Sequence, residues 1–177
     1  MARPALAPLP RLFAVCLLLL SIAPAAWAGV SPPTFGKAFS SSTIGPGAVS
    51  TLTFTINNPN VGQLATDLAF TDVLPAGVAI ADPSSATTTC IDAVVVAPAG
   101  GSTISLSGGS LPGLGACTVR VNVTSAVVGT HSNLSGDLTS SLGNSGPAAA
   151  DLTIAANYPG FSKSFARRAS GSAGAAR

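Results

Sequence analysis

The sequence predicts an all-β fold, an immunoglobulin-like antiparallel β-sandwich of about seven to nine short strands. Apolar and hydroxyl residues alternate with period 2 along several segments, as in Leu52, Phe54 and Ile56 set against Thr51, Thr53 and Thr55. Clusters of Gly, Pro, Asn and Asp punctuate those segments. Charged residues make up 8% of the 177 and there is no Glu, whereas helices need Glu, Lys and Arg on their wet faces.

The strands follow in order. Residues 51–56 and 118–124 alternate over their whole length, and Thr suits the outer face because it is both β-branched and polar. Leu134, Gly136, Leu138, Ser140 and Leu142 share a parity and read as one further strand. Shorter candidates are 68–73, 78–80, 93–97, 103–107 and 149–155. Turn signals lie between them at 57–60, 75–77, 82–83, 98–101, 108–109, 112–113 and 143–147. Many short strands with such turns and no convincing helix imply two packed sheets.

Residues 1–28 read as a secretory signal peptide. Arg3 and Arg11 precede an apolar run over 12–22, Pro24 ends it, and Ala26-Trp27-Ala28 forms a cleavage signal. The run is too short for a membrane span, which needs about 20 apolar residues, so no stable membrane insertion is expected after cleavage. The expected location is extracellular or on the cell surface. Cys16 falls within the discarded run, leaving Cys90 and Cys117. An even count in an exported chain reads as a disulfide, worth roughly 3.5 kcal/mol on the chain-entropy model.

Composition also excludes functions. From residue 29 to 157 the bases are Lys37 and Arg120 against six Asp, so no nucleic-acid partner is expected. The small His, Cys and Glu inventory leaves no metal site and no cofactor expected, and Asp67, Asp72, Asp82 and Asp92 form no calcium-loop spacing. The single His131 with no G-x-S-x-G elbow gives no nucleophile constellation, so no catalytic residues are assigned. Asn122-Val123-Thr124 and Asn133-Leu134-Ser135 match glycosylation sequons but read most simply as strand residues.

Phe35-Gly36-Lys37-Ala38-Phe39 matches Phe161-Ser162-Lys163-Ser164-Phe165, and Pro33 matches Pro159 at the same offset. A spacing of one whole domain indicates tandem repetition. The first unit is expected over 31–158. Residues 159–177 open a second unit that lacks its next strand, and they read as a truncated, disordered basic tail.

These motifs, with Ser42-Thr43-Ile44-Gly45-Pro46-Gly47, Phe70-Thr71-Asp72-Val73-Leu74-Pro75-Ala76-Gly77, Thr87-Thr88-Thr89-Cys90 and Cys117-Thr118-Val119, resemble a family of bacterial immunoglobulin-like repeats of unknown function. That family occurs in tandem in long exported proteins. The resemblance implies a non-catalytic module with a spacer or adhesion role in the envelope. Its partners would be neighbouring repeats, surface proteins or glycans. The alternative is a recognition module that binds carbohydrate or protein through loops such as 82–89 or 108–115.

Related surface domains join a first-strand Lys to a last-strand Asn through a buried acid. Here that points to Lys37, with Asp67 or Asp72 as the acid and Asn144 or Asn157 as the amide. The plainer and preferred reading makes Lys37 a surface residue between two inward Phe. Asp72 shares the parity of Leu68 and Phe70, and is read as bulged or bonded to backbone groups of the following turn.

Overall fold

In the computed structural model, residues 29–157 are described. The expected signal peptide over 1–28 and the expected second unit over 159–177 lie outside the described residues, as does Tyr158. Every regular element among the described residues is a strand. They include β1 (Thr34–Phe39), β2 (Thr43–Ile44), β3 (Val49–Asn57), β5 (Val78–Ile80), β6 (Thr87–Thr88) and β9 (Ala116–Ser125). The remainder are β4 (Ala65–Val73), β7 (Val94–Val96), β8 (Thr103–Leu111), β10 (Gly129–Leu134), β11 (Thr139–Ser140), β12 (Gly143–Asn144) and β13 (Ala149–Ile154).

The strands form three sheets. One runs β1-β3-β9-β5 with β6 also on β9; the second is β10-β13-β2; the third is β12-β11-β4-β8-β7. The second and third meet where the Gly136 N–H donates to the Thr71 carbonyl at 2.8 Å. The inward residues of all three sheets fill one core. Leu52, Phe54 and Ile56 of β3 and Val119, Val121 and Val123 of β9 are fully buried in it, opposite Leu68, Ile104 and Leu152. Burying each such side chain stabilises the fold by about 1.5–3 kcal/mol. The Thr-coated alternation therefore produces the expected sandwich.

Three local expectations are corrected. The 134–142 parity is not one strand: β10 ends at Leu134, whose side chain is 63% exposed, and Asn133 and Ser135 are the buried neighbours. Hydrogen bonding sets that phase, since Ser135 Oγ accepts from the Ala148 N–H at 2.9 Å. The Gly108-Gly109 turn is absent; both residues lie inside β8. Between the pairs Leu68↔Gly109 and Phe70↔Leu106 one extra residue enters β8, and Gly108 absorbs it at φ 76, a bulge that only Gly adopts at no steric cost. Finally, the sandwich is not wholly antiparallel, because β2 pairs with β13 in parallel through Thr43↔Thr153 and Ile44↔Ile154.

That parallel pairing fixes where the chain enters and leaves. β1 lies antiparallel to β3, and the pairing continues past its end through the Ser40 N–H to the Thr51 carbonyl. The chain then bends at residues 40–42 and crosses to β13 as β2. Thr34, paired with Asn57, and Ile154, paired with Ile44, consequently stand at opposite poles. The entry pole carries the 58–64 and 112–115 loops, joined by the Leu114 N–H to the Asn60 carbonyl. At that pole Gly113 is required by close approach: a Cβ there would lie 2.6 Å from the Asn60 carbonyl oxygen.

Candidate functional site: a buried lysine–aspartate–asparagine cluster

Phe35, Lys37 and Phe39 have the same parity on β1, so they point the same way, and the structure turns all three inward. The preferred reading of Lys37 as a surface residue is therefore corrected. Two phenylalanines that pack inward at i and i+4 of a strand carry the residue at i+2 inward with them. The main chain of Lys37 lies on an edge strand, but its side chain and that of Asp72 are both 0% exposed.

Lys37 Nζ donates to Asp72 Oδ1 at 3.0 Å. Asn133 Nδ2 donates to the other carboxylate oxygen, Oδ2, at 2.9 Å. One carboxylate thus holds an amine and an amide side by side. The three residues come from β1, β4 and β10, one from each sheet. Asp72 sits in regular register opposite Ile104, away from the bulges of β4, so its inward parity is met by side-chain partners rather than by a bulge or by turn backbone.

The surroundings are apolar. Phe54 packs on Phe70 with ring centroids 4.6 Å apart, Phe35 lies 5.0 Å from Phe70, and the Lys37 Nζ sits 5.7 Å from the Phe54 centroid. Burial lowers the Lys37 pKa from its ordinary 10.5; the charge of Asp72 and its hydrogen bond oppose that shift without cancelling it. Among the described residues, the one hydrogen bond of the Lys37 ammonium is to Asp72, although it carries three N–H donors. Asn133 is 2% exposed, and among the described residues its Oδ1 has no hydrogen-bond partner.

The other residues singled out in the sequence lie elsewhere. Asn144 is exposed and donates to Asp137 Oδ2 at 2.7 Å, and Asn157 is exposed in the turn after β13. Asp67 is exposed and accepts from Thr66 Oγ1. Neither of the two expected amides is bonded to Asp72; the amide there is Asn133, which the sequence offered only as part of a sequon. His131 Nε2 lies 2.8 Å from the Val127 carbonyl oxygen, and Asn122 accepts from Thr51 Oγ1. Of the two loops weighed for recognition, 82–89 contains β6, and 108–111 belongs to β8.

Cys90 and Cys117 are joined by a disulfide. Cys117 is on β9 and Cys90 follows β6, so the bond ties a short flanking strand to a central one. Both sulfur-bearing residues are buried in the core. Exposed apolar side chains include Val61, Leu64 and Leu114 at the entry pole and Val127 and Val128 at the exit, with others along the strands, among them Val73, Val94, Val96 and Leu134.

The fold is that of a disulfide-tied, all-β sandwich module. Residues 33–154 match the family described as Domain of unknown function (DUF7933), and the chain belongs to that family. No curated protein sequence matches it. Among solved structures it is similar to BslA, a bacterial hydrophobin, at 16% identity and TM-score 0.43, covering 71% of this chain and 95% of that one. It is similar to the pilus backbone RrgB from Streptococcus pneumoniae at 14% identity and TM-score 0.45, covering 62% of this chain and 31% of that one. A cohesin module of a Clostridium perfringens ATCC13124 family 33 glycoside hydrolase matches at 10% identity and TM-score 0.47, covering 69% and 97%.

Proposed function

We propose that this chain is a non-catalytic spacer module of the bacterial cell envelope, exported by residues 1–28 and set in line with further units of its kind. The observation that carries this reading is the placement of Thr34 and Ile154 at opposite poles, which lets each unit add its full length to a chain of units. The disulfide supports an oxidising compartment outside the cytoplasm. Exposed apolar residues at both poles give successive units surfaces to abut. The repeat of Pro33, Phe35, Lys37 and Phe39 at 159–165 supports a following unit in the same chain.

The test is fractionation of the source cells with antibody to the sandwich. The expected result is protein outside the cytoplasmic membrane, cleaved after Ala28, with no free thiol. A cytoplasmic chain with both thiols titratable would overturn the reading.

A further inference from the structure

We propose that Lys37 and Asn133 become joined by an intramolecular amide bond, formed without an enzyme, with Asp72 carrying the proton. This inference stands on the cluster alone and does not depend on the spacer reading.

The geometry supplies each requirement. A nucleophile must be an amine with a free lone pair. The Lys37 amine is out of water, has a single acceptor among the described residues, and lies over an aromatic face. Burial favours its neutral form. Asp72 Oδ1, at 3.0 Å, is placed to take the proton, leaving a neutral amine and a carboxylic acid in place of two buried charges. The electrophile is the side-chain carbonyl carbon of Asn133. Its amide is held on the same carboxyl group, and its Oδ1 has no donor. Rotation about the Cβ–Cγ bond of Asn133 exchanges Oδ1 and Nδ2, so that the protonated Asp72 can donate to Oδ1 and polarise the carbonyl. Held this way, the reaction has the advantage of an intramolecular one.

The step balances without an oxidant, reductant or cofactor. The Lys37 nitrogen lone pair forms a bond to Asn133 Cγ, and the carbonyl π pair moves to Oδ1. Asp72 takes a proton from the attacking nitrogen and delivers one to Nδ2. The Cγ–Nδ2 bond breaks as the carbonyl re-forms, and ammonia leaves. Counted from the neutral amine and the carboxylic acid, Asp72 ends protonated, as it began; counted from the ion pair, the one extra proton stays on Asp72 or leaves with the ammonia as ammonium. The product amide is neutral, and the amine that burial disfavoured as a cation is gone.

The bond would join the first strand to β10 across the core. It encloses β2 through β9 and the disulfide within one covalent ring, leaving only β11 to β13 outside it.

Intact-mass measurement of the exported, full chain tests this. After allowance for signal cleavage and the disulfide, the expected mass is lower than the sequence mass by one ammonia, about 17 Da. Fragmentation of a protease digest should yield a branched peptide linking Lys37 to Asn133. Lys37→Met and Asp72→Asn, the latter nearly isosteric, should each restore the full mass, whereas Asn144→Ala and Asn157→Ala should keep the deficit. A folded wild-type chain at full mass would overturn the proposal, and that readout needs no variant to fold. A deficit that survives Lys37→Met would also overturn it, since ring closure of an asparagine onto its own backbone loses the same ammonia without the lysine.

Discussion

Asn133 and Leu134 are neighbours on β10 with their polarity reversed relative to an ordinary half-buried strand: the amide is in the core, 2.9 Å from Asp72 Oδ2, and the leucine faces water. Solvation of Asp72 by protein groups explains the reversal. A buried carboxylate must be given donors, and β10 supplies one at the expense of an apolar contact.

Substitution should show the same inversion. Asn133→Ala is expected to lower stability by more than about 3 kcal/mol, because it leaves Asp72 Oδ2 without its donor and also prevents the cross-link to Lys37. Leu134→Ser should stay within about 0.5 kcal/mol of wild type, as exposed positions do. Denaturant midpoints of the two variants measure both.

Asp72→Ala should cost at least about 3–5 kcal/mol, since it prevents the cross-link and strands the Lys37 amine in an apolar site. Adding Lys37→Met to that variant should recover part of the loss, because an apolar chain of similar length then lies against Phe54. A double-mutant cycle on thermal or urea unfolding reads the coupling.

The Asn133→Ala chain keeps a free Lys37 amine, and its stability should depend on pH in the alkaline range. Burial sets the folded pKa of Lys37 below its unfolded 10.5, so between those values the unfolded chain binds more protons than the folded one. Stability should therefore rise with pH through that window and level off above about 10.5. Asp72 is the charged group paired with the amine among the described residues. Urea midpoints from about pH 8 to about pH 11 should show the rise, and adding Lys37→Met should remove it.

Replacing both Cys90 and Cys117 by Ala should cost roughly 3.5 kcal/mol, from a loop with a sequence separation of 27. The loss should appear in the denaturant midpoint of the oxidised wild type against the variant. It should vanish when the wild type is measured with its disulfide reduced.

Much of the sandwich was legible because parity is a local property. Leu52, Phe54, Ile56 and Val119, Val121, Val123 announce their faces within a few residues, and all are buried. The inward parity of Asp72 was legible on the same ground. Lys37 obeys the same rule against its charge: Phe35 and Phe39 set the phase of β1, and Asp72 offsets the burial of the amine. Asn133 could not be found locally. Its partner is 61 residues away on another sheet, and the Leu134 to Leu142 alternation pointed to the opposite face. The signal available was a pairing one: an inward Lys and an inward Asp leave a carboxylate oxygen that needs another donor, and a strand carrying an amide can provide it.

The parallel contact between β2 and β13 decides how the module responds to tension. In a chain without the Lys37–Asn133 bond, pulling Thr34 and Ile154 apart slides these strands past each other, so the Thr153 N–H to Ser42 carbonyl and Ala155 N–H to Ile44 carbonyl bonds are loaded together instead of being peeled one by one. With the bond in place, tension passes from Lys37 directly to Asn133 and spares β2, so the cross-link takes over from two small strands as the mechanical lock.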